Sequence, residues 1–507
     1  MSLSTTQLSH EQAARFLSRA TFGVKGNDIN DLVNLNITDW FTAQFAYPVK
    51  SHLTKMREFA DATGDAYNEN PRMSAWWYFT MNSQDTLRQR LAFALSQIVV
   101  VSKNGGPNSE GLAEYYDLLL THAFGNFKDL LKAVTLSPAM GKFLTLSGSR
   151  KANPTKNTFP DENYAREVMQ LFSLGLWQLT DDGIIATDGN GDRIPNYTQT
   201  DIEELARVLT GWKIQDYHQS MYADEKQHDT DEKQVLGHTF PAGQTAAQDV
   251  DQAVEVLFQH SNTPVYIATL LIKRLTISNP RREYIQRVAN TFKDNGVGVR
   301  GDMQAIIKAI LLDDDLLAGV AMQDHQQLGS SQRNFGKIKE PLIAMANLAR
   351  ALNIQSNHPA RWYDWIGTRN NFGQAPLCAP SVFNFYDPDY APNGEITDVE
   401  LVAPEFAILN TDIMRRINNA MWNSILSYRN TKETQWTWDE SEFINNIDDV
   451  DAYLNVVNQR LFSGLMSATT AAEITRIFLS YSASKTKNRL HDTLFVAQCS
   501  PEFRCQE

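Results

Sequence analysis

Cysteine is scarce, with three residues in a chain of 507. Three thiols cannot build the disulfide framework of a small secreted scaffold, and no C-x2-C spacing of a structural zinc site occurs. Cys499 and Cys505 in "CSPEFRCQE" are near enough in sequence to pair, whereas Cys378 has no such neighbour and no nucleophile motif around it. Long apolar runs are missing too. The best stretch, "PVYIATLLIKRL", is interrupted by Lys273 and Arg274, well short of the roughly eighteen residues that a membrane span requires. A soluble protein is expected. Positive charge is also in deficit: the formal net charge of −13 excludes nucleic-acid backbone binding as the main business, because counterion release needs clustered Lys and Arg. No phosphate loop, dinucleotide fingerprint or G-x-S-x-G elbow stands in a usable context. The opening "MSLSTTQLSHEQ" has neither a basic segment nor an apolar one behind it, so no export signal is expected from it.

What remains is dominated by helical periodicity. In "SHEQAARFLSRATFG", Ser9 reads as an N-cap with Gln12 three residues on. "QDTLRQRLAFALSQIVVV" and "GLAEYYDLLLTHAFG" read as buried helices, and "GNFKDLLKAVTLSPAMGKFL" as a helical pair broken at Pro138. "DVDQAVEVLFQH", "TPVYIATLLIKRLTI" and "PRREYIQRVANTFKDNG" repeat the i, i+3, i+4, i+7 pattern. The expected fold is therefore mainly α: a large multi-helix domain over residues 1–425 with a few short β-hairpin strands and long irregular loops. A helical C-terminal section over 426–507 packs on it, after a boundary in "LSYRNTKETQWTWDE". Residues 178–199, 213–247 and 355–402 lack the helical period. Long irregular segments in a helical protein are commonly functional.

One helix concentrates polar chemistry. In "TFPDENYAREVMQLFSLG", Thr158 reads as the N-cap with Asp161 at N3, and Gly175 as the stop. At 100° per residue, Glu162, Asn163, Arg166, Glu167, Gln170 and Ser173 share an arc of about 140°, with Tyr164, Val168 and Phe172 opposite. Glu162 and Arg166 form an i,i+4 pair, as do Asn163 and Glu167. Facing solvent, such pairs contribute only about 0.3–0.5 kcal/mol; facing a cleft, they become acid/base candidates. The next helix, "TQTDIEELARVLTGW", reads with a capping box from Thr200 to Glu203 and a Glu203–Arg207 pair. Downstream, "QHDTDEKQVLG" sets His228 beside Asp229, a combination that supplies a base or a metal ligand, with Lys233 as an anion contact. His218, His228 and His238 lie ten apart, unlike any zinc spacing, so no metal ligands are assigned. "DGNGD" gives Asp188, Asn190 and Asp192 the alternation of a calcium loop, but Arg193 and Gln199 replace its glycine and its bidentate glutamate. Ca2+ at this loop is a weak candidate cofactor.

Read in order, "AARFLSRATFG", "RQRLAFALSQIVVVS", "AFGNFKDLLKAVTLSPAMGKFL", "DENYAREVMQLFSLGL", "YTQTDIEELARVLTGW", "HDTDEKQVLG", "SNPRREYIQRVANTFKDNGVGVRGDMQAII" and "APSVFNFYDPDYAP" form a series. Together they resemble the bacterial domain of unknown function 1800 family over roughly residues 10–420. The resemblance implies a large, mostly helical, uncharacterised protein, commonly periplasmic or secreted and often encoded beside a sulfatase-like domain of unknown function 1501 protein. With no export signal in this chain, a cytoplasmic location stays open. The family's signature positions fall on Arg19 and Phe22, on Glu162, Asn163, Arg166 and Glu167, on Thr210, Gly211 and Trp212, and on His228, Asp229, Lys233 and Gly237. "LSQIVVV" replaces a His-rich stretch of many relatives, which speaks against a metal centre there. Cys378 interrupts the "PL-x-APSVFNF" motif, which speaks against a thiol mechanism.

Two functional readings follow. The first is an envelope-associated hydrolase or transferase with a polar cleft, in which Glu162 and Glu167 do acid/base work. Arg166 and Lys233 hold an anion, His228 and Asp229 form a proton-transfer pair, and Asn163 and Trp212 contact substrate. The second is a non-catalytic binding or assembly protein acting with the sulfatase-like partner.

Overall fold

The first helix, His10–Ala20, is started by a reciprocal cap: Ser9 Oγ accepts the Gln12 amide at 3.2 Å, and Gln12 Oε1 accepts the Ser9 amide at 3.0 Å. The same local logic of polar cap and apolar stripe builds most of the molecule. The structure, a computed structural model, describes residues 7–318, 336–362, 372–422 and 436–506. The boundary expected in "LSYRNTKETQWTWDE" falls largely outside the described residues. The fold is mainly α; the described residues include four short antiparallel two-stranded ladders, among them Lys233–Val235 with His238–Phe240. Among the described residues no helix is long and apolar enough to cross a membrane.

At the centre lies Thr86–Ser96, buried along its whole length from Leu87 to Ser96. It packs against His10–Ala20, Ile37–Ala46, Ser109–His122 and Asn262–Leu275. The "RQRLAFAL" run is thus the hub of the core, and its arginine goes inward: Arg90 Nη2 donates to the Arg274 carbonyl at 2.8 Å. That carbonyl belongs to the last turn of Asn262–Leu275, where helix carbonyls lack intrahelical partners. Lys337 Nζ donates to the Lys273 carbonyl at 2.9 Å, and Gln506 Nε2 to the Leu275 carbonyl at 2.8 Å. Three side chains from distant parts of the chain therefore cap one helix end, two of them cations that also complement its dipole. The C-terminal strand Cys505–Gln506 pairs with Lys337–Ile338 beside this end, which ties the end of the chain to the middle.

The polar helix spans Asn163–Gln170 and begins later than its sequence suggests. Thr158 is held in an antiparallel bridge with Asn153, so it cannot cap, and Glu162 occupies the N-cap position. Asp161 instead takes the Asn163 amide at 2.9 Å. The following helix, Gln199–Val208, is capped by Thr198 and Asp201 rather than Thr200 and Glu203. After Gln170 the chain stops at Gly175 with φ of 76°. A Cβ there would approach the Tyr266 ring to 2.8 Å. Both the left-handed backbone and the close ring require glycine. Gly175→Ala is expected to cost about 2 kcal/mol or more, read as a lowered urea midpoint with an unchanged slope.

Residues 178–199 form the expected irregular hairpin, with bridges at Trp177–Pro195, Leu179–Ile185 and Thr187–Arg193. In its tip Asp188 Oδ1 accepts the amides of Asn190 and Asp192, at 2.8 and 3.0 Å. The calcium-like alternation here thus forms a side-chain-to-backbone turn of the kind Asp favours.

Candidate functional site

The Asn163–Gln170 and Gln199–Val208 helices pack side by side, and their facing polar residues form a wall. Glu162 Oε2 accepts from Arg166 Nη2 at 3.0 Å and from Gln199 Nε2 at 2.9 Å. Gln199 Nε2 also donates to Glu203 at 3.2 Å. Glu162 and Arg166 are each more than a third exposed, so this pair adds only about 0.3–0.5 kcal/mol. Asn163 is exposed beside it and approaches Thr145 Oγ1 at 3.5 Å.

Glu167 differs from its neighbours. It is buried at 7% exposure, and its Oε2 has no hydrogen-bond partner among the described residues. Burial pushes its carboxyl above the ordinary glutamate value, with Arg166 pulling partly back. The Tyr197 hydroxyl, likewise without a partner, lies within the electrostatic reach of Glu167, and burial pushes it up to about 12. An acid and a phenol are thus left together without hydrogen bonds, although buried polar groups are nearly always satisfied.

The 228–233 segment is built differently. His228 and Lys233 are wholly buried and both turn to Asp249, on the first turn of helix Ala246–Gln259. Lys233 Nζ donates to Asp249 Oδ2 at 2.7 Å, and His228 Nε2 lies 3.1 Å from the same oxygen without hydrogen-bond alignment. Gln244 Nε2 donates to Asp249 Oδ1 at 2.7 Å. The other ring nitrogen, Nδ1, faces the Thr210 carbonyl at 2.9 Å. Asp229 turns away from His228, its sequence neighbour, and takes Arg207 Nε at 2.9 Å and Nη2 at 3.3 Å. Burial pulls the Asp229 carboxyl up, but the Arg207 bonds outweigh it and hold the group below the usual range. Arg207 pairs with Glu204 rather than Glu203, because that flank faces Asp229. Gly211, with φ of 94°, lets the chain pass His228 where a Cβ would come within 3.0 Å of the His228 Cβ. Trp212 is buried, with its indole N–H unpartnered.

The Gln199–Val208 helix therefore joins two sets. Its first turn holds Glu162 and Arg166 through Gln199, and its last turn holds Asp229 through Arg207. Among the described residues no hydrogen bond or ion pair links Glu167 to His228, Asp229 or Lys233. Tyr197 and Asp249 are members that local pattern does not single out. Asp249 in "AQDVDQAV" looks like any acid in the first turn of a helix.

Past the wall, Gln170 and Leu171 line an open cleft of about 800 Å³, together with Trp177, Tyr266, Arg274 and Asn384. Tyr266 bridges wall and cleft, its hydroxyl donating to the Gln170 carbonyl at 3.0 Å.

The family model described as Protein of unknown function (DUF1800) matches residues 15–505. The chain belongs to the DUF1800 family. No curated protein and no solved structure matches it. The DUF1800 match embraces both polar sets and the cleft.

None of the three cysteines is in a disulfide, Cys499 and Cys505 included. Cys378 is buried, and desolvation pushes its thiol up, with the Arg72 guanidinium 3.5 Å away pulling partly back. In this DUF1800 protein Cys378 is expected to resist iodoacetamide at neutral pH until the chain is unfolded, since only the thiolate reacts. Peptide mapping by mass spectrometry reads the difference.

Proposed function

We propose that the protein is an enzyme, a hydrolase or transferase, in which Glu167 is the general acid/base and the cleft lined by Gln170 and Leu171, one turn further along the chain, receives the substrate. The observation that carries this reading is the buried Glu167 carboxyl, whose Oε2 has no hydrogen-bond partner among the described residues, within electrostatic reach of the similarly unpartnered Tyr197 hydroxyl. Leaving a buried polar group unsatisfied costs about 1–3 kcal/mol. Such groups persist where a reacting molecule supplies the missing partner, and a carboxyl raised toward neutrality is suited to exchanging a proton. Glu162, Asn163 and Arg166 form the more exposed start of the same helix, where a charged substrate group would be steered. His228, Asp229 and Lys233 act through position: they hold the loop that backs the Gln199–Val208 helix. The envelope setting and a sulfatase-like domain of unknown function 1501 partner belong to the same proposal and rest on family resemblance alone.

The test is turnover of a panel of glycosides, esters, sulfate esters and phosphate esters by the wild-type protein and by Glu167→Gln. Turnover by the wild type that the variant loses supports the reading. Turnover that survives the substitution, or none on any class, counts against it.

A further inference from the structure

Four residues at the cleft floor share a property. Gln97, Arg274, Ser278 and Asn384 line the cleft, each is at most 5% exposed, and each keeps a buried polar atom without a partner: Oε1, Nε, Oγ and Nδ2 respectively. Arg274 is the most unusual. Among the described residues its guanidinium has no hydrogen-bond acceptor and no carboxylate partner, only the Tyr386 ring 4.6 Å from its Cζ. Its backbone, by contrast, is fixed by Arg90 and by the capped helix end. Glu340, which accepts from the Tyr386 hydroxyl, is engaged also by Gln97 and Gln374. Asn384 holds a left-handed backbone at φ of 65°.

We propose that this floor binds an oxyanion carried on a hydroxylated carbon skeleton: a sulfate ester, a phosphate ester or a carboxylate with a hydroxyl beside it. Arg274 provides the charge in a fork that matches such oxygens, and stacking on Tyr386 keeps that fork planar and oriented. Ser278 and Asn384 supply neutral donors free to turn toward the anion. Gln97 Oε1 is an acceptor, useless to an anion but suited to a neighbouring hydroxyl. Its own amide is fixed by the 2.8 Å bond to Glu340, which decides which end of the side chain is on offer. Trp177 and the exposed Phe383 give the cleft apolar walls on which a carbon skeleton can lie. The charge also stands out against the chain as a whole. Arg193, Lys273, Arg281 and Arg282 line the same cleft as Arg274, against Asp387, Asp389 and Glu400, with Lys273 paired to Asp389; the cations remain in excess in a protein of net charge −13, which favours anions at this mouth.

The inference takes as its ligand site the cleft assigned above to substrate, but it is read by binding alone. Failure of the turnover assay would therefore leave it standing, and its failure would leave Glu167 untouched. The experiment is isothermal titration calorimetry of the full chain with glycerol phosphate, glucuronate and inorganic sulfate, each against chloride at matched ionic strength. Saturable one-to-one binding of at least one probe is expected. Arg274→Gln should weaken it about tenfold or more, the loss of a charge-assisted hydrogen bond, and Ser278→Ala severalfold. A preference for glycerol phosphate or for glucuronate identifies the ester or the carboxylate as the ligand class. No saturable heat from any probe overturns the proposal, as does unchanged affinity in Arg274→Gln. Should Arg274→Gln fail to fold, Arg274→Lys keeps the charge without the fork, and the same loss is expected there.

Discussion

Asp249→Ala is expected to destabilise the protein by roughly 3–5 kcal/mol, the cost of leaving a buried ion without its partner. Asp249 and Lys233 are both wholly buried, and the 2.7 Å bond between them is the only ion pair of Lys233 among the described residues. Gln244 and His228 would lose their contacts at the same time. The remedy is as informative as the damage. Asp249→Leu combined with Lys233→Met removes both charges and fills the space with apolar atoms, so most of the lost stability should return. Urea unfolding of the single and double variants reads the difference. If Asp249→Ala unfolds at the wild-type midpoint, the network does not hold the 228–233 loop. Asp229 should respond less to the loss of Asp249, since Arg207, itself paired with Glu204, holds it independently.

Glu167→Gln should act in opposite directions on chemistry and on stability. On the proposed reading it removes a general acid/base, whose contribution is about 10²–10⁴-fold in rate. Stability moves the other way. Burial raises the Glu167 carboxyl above 4.5 in the folded state, so across that window the folded chain binds more protons than the unfolded one. Stability contributed by this group therefore falls as pH rises from the unfolded value through the folded one. Glutamine carries no ionisation and escapes that loss. The variant should match the wild type in acid and gain on it towards neutral pH, with the gap opening above about 4.5, the unfolded glutamate value. A purely structural glutamate paired in the ordinary way would give the reverse sign. Chemical denaturation of both proteins across this pH range makes the comparison.

Much of this was legible in the residues, and what was not has a common cause. The cap at Ser9 and Gln12 is local, and the sequence names it correctly. The buried hub at "RQRLAFAL" and the break at Pro138 are local as well. The structure caps the second polar helix with Thr198 and Asp201, not with Thr200 and Glu203 as read from the sequence. The first wins because the other oxygen of Asp201 accepts the Leu236 amide at 2.7 Å, a contact made 35 residues away. The start of the first polar helix moves for the same kind of reason, the bridge between Asn153 and Thr158. His228 and Asp229 are adjacent in sequence yet serve different partners, because side chains on a turning loop point to different elements. Asp249 carries no local mark. Arg274 does carry one: a cation interrupting an otherwise apolar helix is costly unless something uses it. The sequence shows that interruption, and the fold places it at the floor of the cleft.

The account turns on the protonation of one side chain. Isotope-edited infrared difference titration of glutamate-labelled protein, with Glu167→Gln subtracted from wild type, isolates the Glu167 carboxyl. The account predicts a midpoint above 4.5, moving further when the proposed ligand fills the cleft. A midpoint at or below that value would contradict it.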